Sequence, residues 1–162
     1  MKLFKIATAL LFVGSLATVT FAGPNWPKHP NLVAAWSDLD AAWAKVDKAQ
    51  DANGDALGGH GAKAKAFIQT AQDELKAARD SANKNKGEGT GGDATDCPKA
   101  FDFPKHPNMA AASASLSKAC VKITAAQKAN EFDMDGHAAK AKAAVISAMG
   151  EMLEARNFAN NK

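Results

Sequence analysis

Gly-His-Gly-Ala-Lys-Ala-Lys-Ala at residues 59–66 recurs as Gly-His-Ala-Ala-Lys-Ala-Lys-Ala at residues 136–143. These segments belong to a longer internal repeat. Residues 27–85 and 104–162 align without a gap at an offset of 77, and 27 of the 59 aligned residues are identical. Two diverged copies retain the positions that one structural unit needs. The repeat therefore predicts a fold built from two equivalent units.

Each copy begins with the pattern of a long helix. Residues 27–31 and 104–108 both have the sequence Pro-Lys-His-Pro-Asn, and proline favours the first turn of a helix. A heptad seam follows, with the intervals of four and three residues that are typical of helices packed at a shallow angle. The seam comprises Leu32, Trp36, Leu39, Trp43 and Val46, and its equivalents are Met109, Ser113, Leu116, Cys120 and Ile123. The spacing predicts helices near 30–52 and 107–130.

A second helix in each copy begins at the Gly-His pair, after a turn rich in Asn, Asp and Gly. Its seam comprises Ile68, Ala71, Leu75, Ala78 and Ala82, and its equivalents are Val145, Ala148, Met152, Ala155 and Ala159. A single hairpin cannot bury both of its faces, whereas two facing hairpins can. The sequence therefore predicts an all-α four-helix bundle made of two tandem helical hairpins. Pairing of each hairpin with one from another molecule is the alternative, so monomer and homodimer both stay open.

The ends of the repeats divide the chain into segments. Residues 1–22 have a basic start, a short apolar stretch and small residues before position 23, which is typical of a cleavable signal peptide. Repeat 1 then occupies 23–83, a Gly-rich linker 84–103 and repeat 2 104–162. We expect a periplasmic or secreted protein with no stable membrane anchor after cleavage of the signal.

Charge and motif content narrow the function. Without Lys2 and Lys5, the chain has 18 Lys and Arg residues against 17 Asp and Glu residues, which argues against nucleic-acid binding. No nucleophile, acid/base pair or cofactor loop is discernible, so we expect a protein that is not an enzyme. Glu74 and Glu151 recur between the copies, and a solvated or inter-helix role is expected for them rather than catalysis.

The two cysteines lie at the clearest break in the repeat. Cys120 occupies the seam position that Trp43 has in copy one, so this site lacks a large side chain. The linker just before copy two carries Cys97 and Phe101 and is long enough to fold back along its own helix. We therefore predict a structural disulfide between Cys97 and Cys120 that attaches the linker and fills the space. A redox-active or metal-binding thiol pair is the alternative.

The four histidines are the candidate metal ligands. His29, His60, His106 and His137 all lie at helix starts, where an imidazole can also simply shape the turn. Neutral imidazole is a common ligand for copper and zinc. In an up-down-up-down bundle, His29 would meet His106 at one end and His60 would meet His137 at the other. Each such pair supplies only two ligands.

Residues near the Gly-His pairs could complete a metal site. Asp55 lies near His60 in the sequence, and Asp133, Met134 and Asp135 precede His137. Carboxylate and thioether ligands of this kind would suit a weak or copper-type site.

The chain also resembles a known group of proteins. The His-Pro-Asn starts, the Ala-Gln-x-Ala-Asn runs at 49–53 and 126–130 and the Gly-His starts are similar to those of small exported bacterial tandem helical-hairpin repeat proteins. A looser similarity, carried by the two Gly-His steps, is to small periplasmic histidine-containing metal-binding proteins. The first resemblance implies a helical fold and an exported location rather than an activity.

Two functional hypotheses remain. The first is a non-enzymatic exported helical-bundle binding protein that binds a divalent or copper ion through paired histidines. The alternative is a structural or stress-related bundle that acts by protein–protein interaction without a metal.

Overall fold

The computed structural model describes residues 23–53, 57–84, 96–130 and 133–161. The predicted signal peptide and most of the Gly-rich part of the linker lie outside these residues. The chain forms an all-α four-helix bundle, which confirms the predicted fold class. Its helices are α1 (Pro30–Ala52), α2 (His60–Lys84), α3 (Pro107–Asn130) and α4 (His137–Asn160). None of these helices is both long and apolar enough to cross a membrane.

The helix starts are built in the same way in both copies. The N–H of His29 donates to the carbonyl of Trp26 at 2.9 Å, and the N–H of His106 donates to that of Phe103 at 2.8 Å. A proline then begins α1 and α3. Before α2 and α4 the chain turns through a glycine with a φ of 79° in each copy, which is a left-handed conformation that favours glycine. The repeat therefore retains the residues that set the helix boundaries.

The two hairpins face each other through like helices, since α1 packs most closely on α3 and α2 on α4. Side-chain contacts of His29 with Asn83 and of His106 with Asn160 show that both hairpins are antiparallel. Contacts between the start of α2 and the second half of α4 show that these helices are antiparallel as well. Helices α1 and α4 thus run one way and α2 and α3 the other, which differs from the up-down-up-down order in which the histidines would pair. An approximate two-fold axis between the hairpins accounts for the observed order.

Alanines alternate with larger aliphatic residues along the line at which α1 meets the core. Its buried positions are Leu32, Ala35, Leu39, Ala42, Val46 and Ala49, which keep the heptad spacing. The predicted core positions Trp36 and Trp43 are instead half-buried at the flank. The amine of Lys76 lies 5.2 Å from the ring centre of Trp36, and the amine of Lys65 lies 5.5 Å from that of Trp43. Alanine at the contact allows the helix axes to approach closely, and the tryptophans cover the side of the hairpin.

In copy two, residues 96–103 take the place of the tryptophans. The equivalents Ser113 and Cys120 are fully buried. The N–H of Phe101 donates to the Ser113 hydroxyl at 2.8 Å, and the Ser117 hydroxyl donates to the carbonyl of Pro98 at 2.8 Å. The sulfurs of Cys97 and Cys120 lie 2.09 Å apart, at the distance of a disulfide bond, in agreement with the predicted pairing. The segment before α3 therefore covers the space that small side chains leave.

A partly buried carboxylate on α1 gives a pH-dependent prediction. Burial raises the pKa of Asp38 above its ordinary value of 3.8, and the nearby charges of Lys118 and Lys122 oppose that shift only in part. The ionised carboxylate therefore costs stability above the folded-state pKa, and this cost is absent below 3.8. Asp38→Asn should slightly raise the free energy of unfolding in urea at about pH 7, and the gain should vanish at about pH 3. A less stable variant at neutral pH would show that the lysines dominate.

Candidate functional site

Two histidine–glutamate pairs join the repeats across the contact between α2 and α4. The Nδ1–H of His60 donates to Oε2 of Glu151 at 2.7 Å, and that of His137 donates to Oε2 of Glu74, also at 2.7 Å. Because an ionised carboxylate only accepts hydrogen bonds, Nδ1 carries the proton in both imidazoles. The two contacts are equivalent: in each, the histidine of one repeat binds the glutamate of the other.

Each pair leaves the other imidazole nitrogen, Nε2, without a hydrogen bond to the part of the chain that the structure describes. The side chains of His60 and Glu151 are 24% and 21% exposed, so solvent and small ions reach the pair. A carboxylate that accepts a hydrogen bond from one ring nitrogen fixes the tautomer and the orientation of the imidazole. Each pair therefore has the arrangement of a histidine ligand with its supporting carboxylate.

His60 and His137 lie far apart in the structure, although the sequence predicts that they meet. His60 contacts Glu151, and Glu74 contacts His137. Along each helix the histidine and the glutamate are 14 residues apart, so the two histidines are separated by this length of helix. At about 1.5 Å per residue this stretch is about 21 Å long. The predicted pairing of His60 with His137 at a single metal ion is therefore wrong.

The other two histidines are separated as well. His29 lies beside the end of α2, where its Nε2 contacts Oδ1 of Asn83 at 3.1 Å. His106 lies beside the end of α4, with its Nε2 at 3.0 Å from Oδ1 of Asn160. Helices α1 and α3 run in opposite directions, so their starts are at opposite ends of the bundle. The predicted pairing of His29 with His106 is also wrong.

Two of the residues proposed to complete a site at His137, Asp133 and Met134, have other roles. Asp133 Oδ1 accepts from the side chain of Gln127 and from the backbone N–H of Ala139, and so caps the first turn of α4. Met134 is fully buried in the core. Asp55, proposed beside His60, lies outside the described residues. Within residues 23–53, 57–84, 96–130 and 133–161, no group of three His, Cys, Asp or Glu side chains is placed to hold a metal ion.

Buried amide oxygens lie near both hairpin turns. Oε1 of Gln50 and of its repeat equivalent Gln127 has no hydrogen-bond partner among the described atoms. Gln50 lies against Gly61, the residue that follows His60, since a Cβ on Gly61 would lie 2.8 Å from Cγ of Gln50. Gln127 donates to Asp133, four residues before His137. Each turn thus has an acceptor that a water molecule or an ion can satisfy.

Sequence reasoning found the histidines but not their glutamate partners. Glu74 and Glu151 recur at the same offset of 77 as the histidines, and this shared offset is the signal that could have linked them. The pairs span 91 and 63 residues, so no local spacing shows them.

Comparison with protein families, with curated proteins and with solved structures finds no match to this chain. The site must therefore be interpreted from its own geometry.

Proposed function

We propose that this chain is a non-enzymatic, exported helical-bundle binding protein in which each histidine–glutamate pair binds one copper or zinc ion. The observation that carries the proposal is the reciprocal 2.7 Å contact of Nδ1 with a glutamate, which leaves Nε2 of both imidazoles without a hydrogen bond to the described residues. Export is supported by the cysteine pair, since disulfides persist in oxidising compartments. The chain then carries two separate sites rather than one shared site.

Each site supplies a single imidazole from the described residues, so solvent completes the coordination of the ion. Binding is accordingly weaker than at a structural zinc site with four protein ligands. Copper should bind more tightly than zinc, following the usual order of divalent metals at nitrogen ligands. The alternative function is a bundle that acts through a protein partner, in which the pairs only hold α2 against α4.

Titration of the chain with copper and zinc salts, followed by calorimetry and by NMR of the imidazoles, tests the proposal. The parent should bind two ions per chain, and His60→Ala/His137→Ala should bind neither. Glu74→Gln/Glu151→Gln should keep the imidazoles and weaken binding by about 10- to 100-fold, because the supporting carboxylate is lost.

The matched control is His29→Ala/His106→Ala, which removes the other repeated pair of histidines and should bind as the parent does. Equal binding by the parent and the His60→Ala/His137→Ala variant would contradict the proposal, as would a parent that binds no ion. Unfolding measured with a chelator present distinguishes the metal-binding function from the alternative. If the histidine–glutamate pairs only hold α2 against α4, their substitution changes the free energy of unfolding and nothing else.

A further inference from the structure

The structure contains a second duplicated feature, away from the histidine–glutamate pairs. A cleft of about 350 Å³ lies between the segment that precedes α1 and the last turns of α2. Its walls include Trp26, Lys28, His29, Arg79 and Asn83. The cleft is at the end of the first hairpin opposite to its turn.

A matching cleft of about 310 Å³ lies at the same place in the second hairpin. Its walls include Phe103, Lys105, His106, Arg156 and Asn160. Each of its seven lining residues stands 77 positions after a residue that lines the first cleft, and five of the seven are identical. The copies agree more closely here than over the whole repeat, where 27 of 59 residues are identical.

Packing does not account for all of this agreement. Lys28 and Lys105 are exposed and make no hydrogen bond or ion pair with the described residues. Their ammonium groups are therefore available to a ligand in each cleft.

The arginine of each cleft is held with one edge open. Arg79 lies over Trp26 at 4.9 Å from the ring centre, and its Nε and Nη2 contact Asp80. Arg156 lies over Phe103 at 5.5 Å, and its Nε and Nη2 donate to Asn157. Neither Nη1 has a hydrogen-bond partner among the described residues, so the Nη1 edge of each guanidinium is available to another acceptor. A guanidinium edge matches the two oxygens of a carboxylate or phosphate.

The asparagines add a second donor. The Nε2–H of His29 donates to Oδ1 of Asn83, and His106 and Asn160 repeat this contact. Since the amide oxygen already accepts a hydrogen bond, the amide nitrogen remains as a donor. Each cleft has a single carboxylate against one lysine and one arginine, so both clefts have a positive formal charge.

We propose that each cleft binds a small oxyanion, a carboxylate or a phosphate group, between the lysine ammonium, the Nη1 edge of the arginine and the asparagine amide. The two ligands bind at opposite ends of the bundle, because α1 and α3 start at opposite ends. This binding is independent of the metal sites, which share no residue with the clefts.

NMR titration of the disulfide-bonded chain from residue 23, with inorganic phosphate and separately with acetate, tests this proposal. Amide shifts should saturate at residues 28–29 and 79–83 and at their equivalents in the second hairpin. Arg79→Gln/Arg156→Gln should weaken binding by about tenfold or more, as expected for loss of a charge-assisted hydrogen bond. Saturation by phosphate alone identifies a phosphoryl site, and saturation by both anions identifies a site that also accepts carboxylates.

Two further variants keep the test decisive. Lys28→Gln/Lys105→Gln changes only exposed side chains and should also weaken binding, whether or not the arginine variant folds. Lys63→Gln/Lys140→Gln removes the same charge from exposed repeat positions outside the clefts and should bind as the parent does. The proposal is overturned if neither anion gives saturable shifts at the clefts, or if the Lys63→Gln/Lys140→Gln variant loses as much affinity as the Lys28→Gln/Lys105→Gln variant.

Discussion

Leu116→Ala is expected to lower the free energy of unfolding by about 2 to 5 kcal/mol. Leu116 lies on α3 with no exposed surface, and α3 is the helix that packs most closely on α1. Removal of its side chain leaves a cavity. Neighbouring alanines cannot fill this cavity, because an alanine has no side-chain atom beyond Cβ that could move into it. Urea unfolding at neutral pH, with the disulfide intact, measures the loss.

Val121→Ala is the matched control on the same helix. Val121 is 54% exposed, so this change should alter stability by no more than about 0.5 kcal/mol. Equal losses from the two variants would show that α3 does not present Leu116 to the core.

Loss of the Cys97–Cys120 disulfide is expected to cost about 3 kcal/mol. The bond closes a loop with a sequence separation of 23 residues, and the stabilisation by a disulfide grows with the length of the loop that it closes. It also holds residues 96–103 over the small side chains of α3, so the reduced protein should expose Ser113. Unfolding of the parent with and without a reducing agent measures the effect.

Cys97→Ala/Cys120→Ala should match the reduced parent in stability, and a reducing agent should not change the variant further. If the oxidised and reduced parents are equally stable, the covering segment is held by its hydrogen bonds and packing alone.

The sequence predicted the local structure well. Prolines at 30 and 107 and glycines at 59 and 136 mark helix starts, and the observed bounds of α1 and α3 agree with the predicted ones. The position of residues 96–103 was also predictable, because Cys120 stands at the repeat position that Trp43 occupies in copy one. The helix starts can be recognised within one copy of the repeat, and the break at Cys120 can be recognised by comparing the two copies.

The relation between the hairpins was not predictable in this way. Helix direction between hairpins depends on how two amphipathic faces pack, and heptad spacing is the same for either direction. Heptad spacing also fits two sets of positions on α1, so it did not distinguish Trp36 and Trp43 from Ala35 and Ala42 as core positions. The histidine–glutamate pairs depend on how the two hairpins pack. The sequence therefore predicts the wrong neighbours for the histidines and does not reveal their glutamate partners.

The reciprocal contacts between α2 and α4 make the chain a homodimer-like assembly closed within one molecule. Both hairpins use the same surface for this contact, as the two subunits of a symmetric dimer do. The covalent connection gives the two halves an effective concentration of about millimolar, so dilution does not separate them. A free hairpin would depend on protein concentration for its stability. Within one chain the two halves can also differ, as the tryptophans of the first hairpin and the cysteine-linked cover of the second do.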